Sequence, residues 1–67
     1  MKSNIIKKDR HFLYCVQAKS DGLWVRFTPY KYDAARIDDD EVAKQIARKI
    51  HGVPVRFNRM TGEIEVN

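Results

Sequence analysis

Apolar positions recur at every second residue in the front of the chain and at helical spacing further on. The run His11–Lys19 (HFLYCVQAK) and the run Leu23–Tyr30 (LWVRFTPY) are rich in aromatic and β-branched residues, and Asp21-Gly22 lies between them. Asp-Gly between two such runs is a strong hairpin signal, because both central residues of a type I′ turn need positive φ. A two-residue loop there predicts Lys19 opposite Trp24, Ala18 opposite Val25, Gln17 opposite Arg26 and Val16 opposite Phe27. Opposed residues share a face and faces alternate along a strand. One face then carries Phe12, Tyr14, Val16, Ala18, Leu23, Val25 and Phe27 and is the expected core face. The other carries Leu13, Cys15, Gln17, Lys19, Trp24, Arg26, Thr28 and Tyr30.

The period changes in IDDDEVAKQIARKIHG. Val42, Ala43, Ile46, Ala47 and Ile50 form one apolar stripe, with Lys44, Gln45, Arg48 and Lys49 opposite. Asp38 is the expected cap, with Glu41 completing a capping box. Acids crowd the first turn, bases the last, and Gly52 with Pro54 ends the run. VPVRFNRMTGEIEVN reads as a second hairpin: Val53, Val55 and Phe57 alternate with Arg56 and Asn58, and Gly62 supplies the left-handed position of the turn. Asp33–Ile37 stays open between a short strand and an extended connection. The expected fold class is α+β: ββαββ, a small antiparallel sheet with one amphipathic helix packed on one face.

Sixty-seven residues make one domain and leave little room for the walls of a deep catalytic cleft. Residues 1–10 (MKSNIIKKDR) read as a basic arm and 11–67 as the domain. No apolar run is long enough for a membrane span or a leader. Cys15 has no second cysteine to pair with, which accords with a cytoplasmic setting. Net charge is +4 and unevenly spread: residues 1–31 carry +5 and residues 32–67 carry −1. A basic front half favours an acidic partner.

Catalytic and metal chemistry find little support. Asp38-Asp39-Asp40-Glu41 are better explained by the helix N-terminus than by a cation, because consecutive residues splay around a helix. Cys15 with His11 or His51 has nothing to orient it as a nucleophile and base. The expectation is therefore no enzyme, no cofactor and no metal. The outer face of the first hairpin is the candidate site: Lys19, Trp24, Arg26, Tyr30 and Gln17, extended by Arg56. Trp, Tyr and Arg dominate protein interfaces, and the same set can stack bases and meet phosphates.

Two resemblances bear on that face. DAARIDDDEVAKQIARKIHG, preceded by a hairpin and followed by a strand, is similar to many small phage and prophage accessory proteins. These include host-takeover and anti-CRISPR inhibitors. The likeness implies a host protein or protein–nucleic-acid complex as partner. The basic front half points to an acidic patch on it, and the chain is expected to be a monomer or weak homodimer. GLWVRF followed by DDDEVAKQIARKIHG resembles the end of an AP2-type DNA-binding domain, in which Trp24 and Arg26 would correspond to sheet residues near DNA. The hairpin at 53–66 departs from that pattern. The alternative expectation is thus direct binding of DNA or RNA by the same face.

Overall fold

The computed structural model describes residues 2–66. It contains strands β1 (Lys2–Lys8), β2 (His11–Lys19) and β3 (Gly22–Thr28), a 3-10 turn at Lys31–Asp33, helix α1 (Asp40–Ile50), and strands β4 (Val53–Asn58) and β5 (Glu63–Val66). All strand pairs are antiparallel, in the order β3-β2-β1-β4-β5. The α+β class with one helix on a small sheet holds, and the sheet has one strand more than ββαββ.

That strand is the expected basic arm. Ile5 and Ile6 are both fully buried, and β1 is the centre of the sheet rather than a solvated tail. Ile5 packs with Phe12, Ala34, Val55 and Phe57 on one face, while Ile6 packs with Leu13, Ala47 and Ile50 on the helix face. A strand buried on both sides loses the alternation that marks a half-exposed one. Here the run is only two residues long, between lysines. Met1 of the expected arm and Asn67 of the expected domain lie outside the described residues.

β1 and β2 pair only at Lys7–Phe12 and Lys8–His11, next to the Asp9-Arg10 turn. The strands then diverge, and the segment after the 3-10 turn fills the gap. Ala35 donates its N–H to the Leu13 carbonyl at 2.8 Å, and Ile37 exchanges backbone hydrogen bonds with Asn4. Asp33 thus closes the 3-10 turn, and residues 34–37 form a wedge tied to β2 by Ala35 and to β1 by the Asn4–Ile37 bridge. Tyr32 stands edge-on to Phe57, with ring centroids 5.1 Å apart, and Lys31 donates to the Gly62 carbonyl. These contacts roof the second core, the one on the Ile5 face away from the helix.

The helix begins one residue later than expected. Asp39 is the cap, accepting from the Glu41 N–H at 2.8 Å and the Val42 N–H at 3.1 Å. Any of the three aspartates can cap. With Asp39 as the cap, Asp40 falls in the first turn, where it meets Asn4 and Arg56. The helix ends in a Schellman motif: His51 takes the left-handed conformation (φ 59°, ψ 38°), and the Gly52 N–H reaches the Ala47 carbonyl at 2.8 Å. Gly52 serves a close approach instead, since a Cβ there would lie 2.8 Å from Ile6 Cγ2. Gly62 has φ 76°, as its turn was expected to need.

Candidate functional site: the projecting hairpin

The β2–β3 hairpin turns at Ser20-Asp21, one residue before the expected loop. Lys19 faces Gly22, Ala18 faces Leu23, Gln17 faces Trp24, Val16 faces Val25 and Cys15 faces Arg26. This slides the pairing by two residues, and an even slide keeps every side chain on its expected face. A bulge at Tyr14 reverses the sides before it: Leu13 pairs with Phe27 and Phe12 with Thr28. Leu13 is consequently a core residue beneath the helix, and Phe12 belongs to the opposite core. Both had been expected the other way round.

Length decides how much of the hairpin is covered. An 11-residue helix is about 16 Å long, whereas a nine-residue strand extends about 30 Å. The helix packs against β1 and β4, and Val25 and Phe27 reach only the margin of its core. Beyond them the hairpin stands free, along a molecule measuring 39 × 23 × 18 Å. Val16, Ala18 and Leu23, expected in the core, are exposed, Leu23 by 47%. Tyr14 is exposed at the bulge as well.

The opposite side of the hairpin gathers four of the six expected site residues. Trp24 is 57% exposed, directly across from Gln17. Lys19 lies diagonal to it with Nζ 4.5 Å from the ring centroid, inside cation–π range. Trp24 Nε1 donates a long hydrogen bond, 3.4 Å, to Asp21 Oδ1 in the turn. Arg26 follows on the same face, opposite Cys15. The indole is thus steered from two sides while its outer surface stays open. Ion pairs join Lys2 to Glu65, Lys44 to Glu41 and Arg56 to Asp40. Among the described residues none of them reaches Lys19 or Arg26, so both cations remain available.

The other two site residues lie elsewhere. Arg56 is on the helix face, its Nη2 3.4 Å from Asp40 Oδ2, and joins the helix N-terminus to β4. It cannot extend the Trp24 face. Tyr30 is exposed but follows the end of β3, beyond Pro29, with its N–H on Thr28 Oγ1 at 3.2 Å. Asp21 was not expected at the site; its signal was its place three residues before the tryptophan, within reach of an indole N–H.

The acidic run has structural partners. Asp39 caps the helix, and Asn4 Nδ2 donates to Asp40 Oδ1 at 2.7 Å. That hydrogen bond, joined by Arg56 and Lys44, holds the Asp40 carboxyl below the ordinary aspartate value despite some desolvation. Among the described residues no three His, Cys, Asp or Glu side chains converge as metal ligands, and no helix is long and apolar enough to cross a membrane. A cavity of about 630 Å³ lies away from the hairpin, lined by Lys2, Ser3, Arg36, Asp38, Arg59 and Met60. Its Lys2 is engaged by Glu65.

Compared with protein-family models, characterised proteins and solved structures, the chain finds no match.

Proposed function

We propose that the protein is a non-enzymatic binding module whose projecting hairpin engages an acidic patch on another protein or protein–nucleic-acid machine. The observation that carries this reading is the open Trp24 ring, steered by Lys19 and Asp21 on a hairpin arm that the helix does not cover. An aromatic ring with limited freedom supplies contact area at low entropic cost, and Trp and Arg are the residue types on which interface energy concentrates. Lys19 and Arg26 beside it would meet negative charge. Gln17 would add hydrogen bonds. The likeness to phage accessory proteins suggests a cytoplasmic host machine as the partner and occlusion as the mode of action.

Trp24 beside Lys19 and Arg26, which no ion pair among the described residues engages, also favours a second reading, in which a base stacks on the indole and phosphates meet the two cations. One pair of experiments separates the two. Immobilised wild-type protein should retain a partner from bacterial lysate that a folded Trp24→Ala/Arg26→Ala variant does not. Identical retention by both proteins overturns the hairpin as the binding surface. Trp24 fluorescence titrated with single- and double-stranded DNA and RNA should stay unchanged at low salt. A saturable change whose affinity falls steeply with salt would establish direct nucleic-acid binding instead.

A further inference from the structure

The two edges of the sheet differ in kind. β5 spans four residues and carries Glu63 and Glu65, charges of the sort that discourage strand pairing. β3 spans seven residues, Gly22–Thr28, with no proline and the single charge of Arg26, and among the described residues it pairs only with β2. A long apolar edge of that kind is a template for another strand.

The turn determines which backbone groups face outward. A two-residue loop closes on a hydrogen-bonded pair, here Lys19 with Gly22, and hydrogen-bonded pairs alternate with open ones along an antiparallel ladder. Gly22, Trp24 and Arg26 thus turn their N–H and C=O groups toward β2. Leu23, Val25 and Phe27 turn theirs to the free edge. A second copy laid antiparallel, with Val25 opposite Val25, uses all three outward positions: Leu23 of each copy bonds Phe27 of the other.

Side chains match in the same register. Trp24 of one copy falls opposite Arg26 of the other, twice, by symmetry. Leu23, exposed in the single chain, falls opposite Phe27 on the other face. Sliding the two-fold axis onto Arg26 would set two guanidinium groups opposite each other, which is destabilising. The stretch LWVRF is therefore self-complementary about its central valine.

We propose that two copies of this chain associate through their β3 edges, antiparallel and centred on Val25, so that the sheet runs on from one copy to the other. The two Trp24 faces become a single surface. The interface goes beyond the proposed partner binding and does not depend on it.

Sedimentation equilibrium of the full chain from about 10 µM to 1 mM covers the range expected of so small an interface. The mass should rise with concentration from 7.9 kDa toward twice that value. Trp24→Arg places like charges opposite each other at both symmetric positions and should weaken association about tenfold. Adding Arg26→Glu to it should restore association. Hydrogen exchange needs no variant: the Leu23, Val25 and Phe27 amides should gain protection as concentration rises. A constant single-chain mass, or protection at those three amides that ignores concentration, overturns the proposal. A double variant no better than Trp24→Arg overturns the register, and the proposal with it.

Discussion

Asn4, in the middle of the central strand, donates its side-chain amide to Asp40 in the first turn of the helix, 2.7 Å away. Asn4 is buried, and its backbone also bonds Ile37. One residue therefore ties β1 to the helix N-terminus and to the wedge beside it.

Asp40 should make stability depend on pH in acid. Its folded value is depressed, first by Asn4 and then by Arg56 and Lys44. The stabilisation is fully present above the ordinary aspartate value of about 3.9 and is lost as pH falls through the lower folded value. Urea unfolding at neutral pH should show Asp40→Asn less stable than wild type, and the gap should close on acidification below the ordinary range. A gap of the same size at every pH would exclude the charge as its source.

Ile6→Ala should destabilise by about 2–5 kcal/mol, the usual cost of emptying a filled core site. A solvated arm would lose almost nothing by the same change. Denaturant midpoints distinguish the two outcomes directly, and Ile5→Ala repeats the test in the second core.

The helix C-terminus should respond in opposite directions at adjacent positions. His51 holds a left-handed backbone that costs a non-glycine residue about 1–2 kcal/mol, so His51→Gly should raise stability by about 1 kcal/mol. Gly52→Ala should lower it by about 1–3 kcal/mol, because the new methyl meets Ile6 and the Lys7 carbonyl. Thermal unfolding of the two variants side by side checks both signs.

Trp24→Ala should cost less than about 1 kcal/mol, in keeping with an exposed side chain, whereas Phe57→Ala should cost about 3–5 kcal/mol. Chemical denaturation followed by circular dichroism avoids dependence on the tryptophan signal. A Trp24→Ala loss as large as that of Phe57→Ala would make the indole a core residue.

The elements with local signals were legible in the chain. The helix stripe, the second hairpin and the left-handed Gly62 all announce themselves within a few residues. β1 does not, because a strand buried on both faces has no alternation and Ile5-Ile6 is too short a run to stand out. The bulge at Tyr14 carries no glycine or proline to mark it, so simple alternation puts Leu13 and Phe12 on the wrong sides. Trp24, Gln17, Lys19 and Arg26 still came out together, since an even slip in pairing preserves the faces. The side Arg56 takes has a tertiary cause: β1 lies between the two hairpins, and no local pattern relates the faces of the second to those of the first.

The position of β1 also orders the events of synthesis. It leaves the ribosome before every other strand described, yet Ile5 finds its neighbour Val55 only after some fifty further residues have been made. Hairpin β2–β3 has its contacts close at hand and can form while the chain is still growing. The projecting hairpin can thus form before the core that carries it is closed. The first of the described strands to be made waits for β4 before its buried side is closed.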